Sequence, residues 1–167
     1  GMHYFSPVPK MRLLEIIKAD QTSEETLATC YEIGKRQGKT CIVVNDMPGF
    51  YVNRILCPYL IEGLLMIEEG VRIEDIDGAL TSLGMPIGPI TLLDEVGIDV
   101  GAHVMSGNMA QLLKGREGFK INYSMPKMFE AGLHGRKAKK GFYNYAMKKG
   151  RLRKTSPNQD AYQHFGN

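Results

Sequence analysis

The spacing of apolar residues changes along this chain, from a strand-like period of two near the start to a helical period from about residue 50. MHYFSPVPKMRLLEIIK reads as two short strands around a proline-containing turn centred on Pro9. Thr22 or Ser23 can cap a helix running to about Gln37, with Glu24 and Glu25 in its first turn and Gly38 as its stop. TCIVVND, apolar and β-branched, predicts a third strand. From Pro48 a long helix is expected to about Glu69, with Val52, Ile55, Leu56, Tyr59, Leu60, Leu64 and Ile67 facing a core and Pro58 kinking it. IEDIDGALTSLG predicts a short helix ending at Gly84, and MPIGPITLLDEVGIDVGAHVM another with Pro89 just inside its start. KGREGFKINY reads as loop and SMPKMFEAG as a short amphipathic helix. GRKAKKGFYNY returns two aromatics to the core, and the polar last dozen residues are expected to be mobile.

With 167 residues, 43% of them hydrophobic, the chain can build one domain with a substantial core or two small ones sharing an interface. No window is apolar for a membrane-spanning length, and the opening strand pattern is not that of a signal peptide. Cys30, Cys41 and Cys57 are odd in number, with no CxxC and no histidine at metal spacing, so reduced thiols and no metal are expected. The net charge of +3 conceals an asymmetry: residues 131–159 hold nine basic residues and no acid, leaving 12 basic residues against 18 acids elsewhere. Such a stretch can attract phosphates. With no interleaved aromatic repeat and no helix–turn–helix pattern, nucleic acid is not the expected partner.

The candidate chemistry begins with His3 and Glu15, which are equidistant from Pro9. If the two strands pair antiparallel about that centre, imidazole and carboxylate face each other, roughly 5 Å apart at Cβ. That is the spacing of a base and the group that orients it. Alternation places Glu15 with Met11, Leu13 and Ile17, and His3 with Phe5, so both polar groups are expected on the apolar side of the ribbon. A buried carboxylate needs a partner, and a bond to the imidazole would also fix the ring's tautomer. Glu15 at a wet sheet edge beside a frayed His3 is the plain alternative. Asn53 lies on a stripe with Leu56, Cys57 and Leu60, either as a helix-start residue satisfied locally or as a ligand-facing donor. Asp99 and His103, four apart, could bond along one helix face in a structural role, and Gly97 and Gly101 suggest close helix packing.

MHYFSPVPKMRLLEII, DMPGFYVNRILCPYLIEG, LGMPIGPITLLDEVGIDV and GRKAKKGFYNY resemble, in order and approximate spacing, the 3-hydroxyacyl-CoA dehydrogenase family over about residues 1–146. HYFSP and LLDEVGIDVGAHV are most similar to its mitochondrial trifunctional branch, which implies a mitochondrial setting, with peroxisomal or bacterial cytoplasmic relatives as the alternative. The resemblance implies a mainly α fold in which a short N-terminal α/β segment, the end of a Rossmann-type NAD-binding domain, precedes an all-helical C-terminal domain like that of 6-phosphogluconate dehydrogenase. The expected boundaries are 1–46, 47–146 and a basic, flexible tail over 147–167.

By the same resemblance His3 is the general base, Glu15 its orienting carboxylate, and Asn53 a substrate-oxygen ligand. Ser6, which stands where many relatives carry Asn, is a further substrate contact. NAD is the implied cofactor, 3-hydroxyacyl-CoA of fatty-acid β-oxidation the substrate, and a homodimer through the helical domain the assembly. The departure is that no GxGxxG follows a strand and opens a helix. The chain is therefore expected to be a fragment, inactive alone, with NAD held mainly elsewhere. A non-catalytic helical assembly module is the rival reading. A 6-phosphogluconate or short hydroxy-acid dehydrogenase would require a lysine where the long helix offers Asn53 and Arg54.

Overall fold

A computed structural model describes residues 1–166, and the chain divides into two compact units, Gly1–Ile55 and Leu56–Asn167. The first holds a three-stranded sheet of β1 (Met2–Tyr4), β2 (Leu13–Lys18) and β3 (Thr40–Asn45) in the order β1-β2-β3. β1 runs antiparallel to β2, with His3 opposite Glu15, and β2 runs parallel to β3 through the crossover helix α1 (Glu24–Arg36). Ser23 caps α1 through its side-chain oxygen, which accepts the Thr26 N–H at 3.1 Å. α1 lies tightly on the sheet at Gly34, where a Cβ would meet Cys41 Sγ at 2.5 Å and Leu14 Cδ2 at 2.7 Å.

β2 has no apolar side and polar side, because Leu14, Glu15, Ile16 and Ile17 are all buried and Met11 is exposed. α1 covers β2 at Leu14 and the Tyr51–Val52 segment covers it at Glu15, so both faces are buried and alternation does not say which residues are inside.

The mainly helical character expected of the rest is present. α2 (Val52–Glu68) carries Pro58 in its interior, and α3 (Ile73–Ser82), α4 (Pro89–Val96), α5 (Ile98–Ser106), α6 (Asn108–Lys114) and α7 (Ser124–Glu130) follow. In the second unit, Leu64, Ile67, Ile73, Ile90, Ile98, Met128 and Phe142 form the main core, and Ile61, Met105, Met109 and Leu113 a second cluster. α2 begins later than Pro48 because Gly49 and Phe50 have φ of 75° and 47°, outside helical space. The single helix expected after Pro89 is two, since Gly97 at φ 107° ends α4 and starts α5. Gly101 does mark a close approach: a Cβ there would lie 1.7 Å from Met125 Cε of α7. Asp99 pairs with Lys137 rather than His103.

The segment expected as a basic, flexible tail instead contributes to an antiparallel hairpin of β4 (Tyr143–Lys148) and β5 (Arg151–Pro157), followed by a 3-10 turn over Gln159–His164. Two buried carboxylates pin this hairpin to the helices. Asp94 accepts from the N–H groups of Phe142 and Tyr143, both at 2.9 Å, and from the Tyr145 hydroxyl at 3.1 Å. Asp77 caps the first turn of α4 through the Ile90 and Thr91 N–H groups and accepts the Tyr143 hydroxyl. Among the described residues no helix is long and apolar enough to cross a membrane.

Candidate active site

His3 Nδ1 and Glu15 Oε2 lie 2.6 Å apart, with the imidazole 31% exposed and the carboxylate fully buried. Antiparallel pairing of β1 and β2 places the two side chains on one face of the sheet, so the contact follows from register. The second oxygen, Oε1, accepts the backbone N–H of Tyr51 at 3.0 Å and of Val52 at 2.9 Å. Glu15 thus occupies the place of an N-terminal cap for α2, from a strand far away in sequence. The open N–H groups and the positive end of the helix stabilise its negative charge in a buried setting.

An ionised carboxylate only accepts hydrogen bonds, so Nδ1 carries the proton and donates it to Glu15. The free lone pair is then on Nε2, the nitrogen that Glu15 does not engage. Phe5 and Phe50 flank the imidazole, with ring centroids 4.7 and 5.5 Å from its own. Phe50 holds a left-handed backbone conformation, φ 47°, which costs a non-glycine residue about 1 kcal/mol and recurs where a site dictates the backbone. The result is an oriented base with one accessible nitrogen between two aromatic walls.

Sequence reasoning brought His3 and Glu15 together but missed Phe50 and the two N–H donors. Backbone donors have no letter of their own, and the nearest signal was the Pro48-Gly49 turn before them. Asn53 is half-buried in the first turn of α2, one residue beyond Val52, and Ser6 is exposed beside a cis peptide bond to Pro7. Among the described residues neither side chain bonds to His3 or Glu15. No group of three or more potential metal ligands occurs among those residues.

For a dinucleotide, the residues present suit the reacting end, where Nε2 is open between aromatic rings. The phosphate-cradling glycine-rich turn is not among them.

A strand-borne histidine held by a buried carboxylate that also accepts the Tyr51 and Val52 N–H groups has the geometry of an oriented acid–base pair. Residues 1–47 match the 3-hydroxyacyl-CoA dehydrogenase NAD binding domain and residues 49–145 the C-terminal domain of the same family, so the chain belongs to the 3-hydroxyacyl-CoA dehydrogenases. It is 49% identical over 152 residues to the fatty acid oxidation complex subunit alpha of Vibrio parahaemolyticus, covering 89% of this chain and 21% of that one. The chain therefore spans about a fifth of the length of the curated relatives it matches.

Among solved structures it is similar to (S)-3-hydroxybutyryl-CoA dehydrogenase from Ralstonia eutropha, with TM-score 0.79, 38% identity, and 88% and 52% of the two chains covered. The 3-hydroxybutyryl-CoA dehydrogenase of Escherichia coli K12 gives TM-score 0.78 at 31% identity, over 86% and 31% of the chains. These relatives are bacterial and lend no support to the mitochondrial setting expected from HYFSP.

Proposed function

We propose that this chain supplies the proton-transfer half of an L-3-hydroxyacyl-CoA dehydrogenase of fatty-acid oxidation, in a bacterial setting like that of its named relatives. NAD, when bound, would supply the acceptor for the hydride of carbon 3 of the substrate. His3 Nε2 takes the proton of the 3-hydroxyl, and the imidazolium that forms keeps its Nδ1–H bond to Glu15, whose charge stabilises it. Because Glu15 is held by the Tyr51 and Val52 N–H groups, little reorganisation accompanies the charge. In the reverse direction His3 returns the proton to the developing alkoxide. Asn53 and Ser6 are assigned as substrate contacts on the family resemblance, Asn53 as a donor toward the substrate oxygen. The proposed domain division is the end of a dinucleotide domain over 1–46 and the helical domain from 47, through which a homodimer would form.

The observation that carries the reading is the 2.6 Å His3–Glu15 contact with the carboxylate anchored to α2. Its test is turnover of acetoacetyl-CoA with NADH in the full-length enzyme. His3→Gln should lower kcat by about 10²–10⁴, and Asn53→Ala should lower kcat/KM while the protein still assembles. Unchanged kcat in the His3 variant would leave the non-catalytic assembly module as the better reading. This chain alone should show negligible turnover, because hydride transfer needs the dinucleotide held against the substrate.

A further inference from the structure

We propose that one face of the β4–β5 hairpin is a binding site for a soluble ligand carrying two or more phosphate groups, separate from the His3 site and independent of the dehydrogenase reading. Of the nine basic residues in 131–159, four are neutralised by acids: Arg136 by Glu95, Lys137 by Asp99, Lys140 by Asp160 and Lys154 by Asp77. Lys139, Lys148, Lys149, Arg151 and Arg153 pair with no acid among the described residues. All of these but Lys139 line a single hollow of about 530 Å³.

The strand register shows how the hollow is made. Lys148 stands directly opposite Arg151, and Arg153 directly opposite Ala146. Alternation puts Lys148, Arg151 and Arg153 on one face, and Ala146 is too small to fill the space beside them. Lys149 and Gly150, at φ 50° and 72°, form the two-residue turn and bring the fourth cation to the same end. Like charges directly opposite each other destabilise a hairpin, and no acid offsets them here. A multiply charged anion would remove that repulsion, and the two guanidinium groups match phosphate oxygens in fork geometry. The hollow is an open depression with room for more than one phosphate group.

Two other partners fit less well. The cationic face carries no aromatic side chain on which a base could stack, since Tyr145 points with Met147 and Leu152 to the other face. Exposed Met147 is likewise on that other face, so apolar and cationic groups do not meet a lipid surface together. The face is also presented firmly, because Asp94 and Asp77 tie the base of the hairpin to the helices.

The test is a ¹⁵N–¹H NMR titration of the 167-residue chain with sodium tripolyphosphate at low ionic strength, with inorganic phosphate as the comparison. Saturable shifts confined to the amides of residues 148–153, with tripolyphosphate at least about tenfold tighter than phosphate, are expected. The double variant Lys148→Gln, Arg151→Gln should weaken binding by about tenfold or more. Because it removes facing like charges, its thermal midpoint should be no lower than the parent's. Arg153→Gln, away from the tight turn, gives the same reading should the double variant misfold. Shifts spread evenly over other cations such as Lys10 and Lys35, or equal affinity for the two anions, would overturn the proposal. So would flotation with phosphatidylglycerol vesicles unaccompanied by tripolyphosphate shifts.

Discussion

Val52 donates its backbone N–H to Glu15 at 2.9 Å, so the carboxylate that orients His3 also starts helix α2. One side chain therefore couples the tautomer of the base to the position of the helix that carries Asn53. Glu15→Gln separates the two duties. Its amide oxygen can still accept from Tyr51 and Val52, while its NH2 group faces His3 Nδ1 and forces that nitrogen to become the acceptor. The proton then sits on Nε2, the wrong side for a base. ¹⁵N shifts of the His3 ring should report the exchanged tautomer, and kcat of the full-length enzyme should fall by about 10²–10⁴ with near-parental thermal stability. A parental tautomer with parental turnover would mean that Glu15 serves only the helix.

Glu15→Ala, by contrast, removes the cap as well. Three donors in part-buried bonds, from Tyr51, Val52 and His3, lose their acceptor. At about 1–3 kcal/mol for each unsatisfied group, relieved in part by water entering the space, a loss of about 3 kcal/mol is expected. Urea unfolding followed by circular dichroism would measure it. His3→Gln should cost less than about 1 kcal/mol in the same assay, since the imidazole is partly exposed and fills no core position.

His3 facing Glu15 was legible in the sequence because a turn centred on Pro9 and a two-residue period leave few registers. The cap on α2 was not, because a carboxylate on a strand and two N–H groups many residues away share no local pattern. Ser23, Gly38 and Pro89 announced their helix ends through side-chain or backbone preferences that act locally. The Gly97 break was hidden because glycine inside an apolar helical pattern is also read as a packing contact. The β4–β5 hairpin was masked by its own charge. Yet Tyr143 and Tyr145 on one strand and Leu152 on the other bury an apolar face beneath the basic residues, and Lys149-Gly150 is a turn signal.

Gly88 precedes α4 where that helix meets α3, and a Cβ there would lie 2.6 Å from Asp77 Cα and closer still to its carboxylate. Backbone cannot yield as the end of a side chain can, so Gly88→Ala must push the two helices apart and pull Asp77 from the Ile90 and Thr91 N–H groups. A loss of about 3 kcal/mol is expected, from overpacking plus a disrupted cap. Chemical denaturation should show it as a lower midpoint with little change in slope. Gly78, whose Cβ would meet nothing within 4 Å, is the control, and Gly78→Ala should be neutral or slightly stabilising.

Asp94 sets a pH dependence of the opposite sign to that of an ordinary paired carboxylate. Burial is the larger influence and pushes it from 3.8 up to about 6, against the pull of the Phe142 and Tyr143 N–H groups and the Tyr145 hydroxyl. Below pH 3.8 both the folded and the unfolded chain hold this proton. Between about pH 4 and 6 the unfolded chain has released it and the folded chain keeps it, so raising the pH through that window lowers stability. The folded carboxyl ionises above about 6 and the effect levels off, at no more than about 3 kcal/mol in all. Other carboxylates, such as Asp75 and Asp99, held low by Arg72 and Lys137, contribute the reverse slope at more acid pH. The comparison is therefore between the parent and Asp94→Asn. The variant is less stable overall because one oxygen of the trio of contacts is lost, but its stability should not decline between pH 4 and 6 as the parent's does. Identical pH profiles for the two proteins would show that the three donors outweigh burial and keep Asp94 ionised throughout.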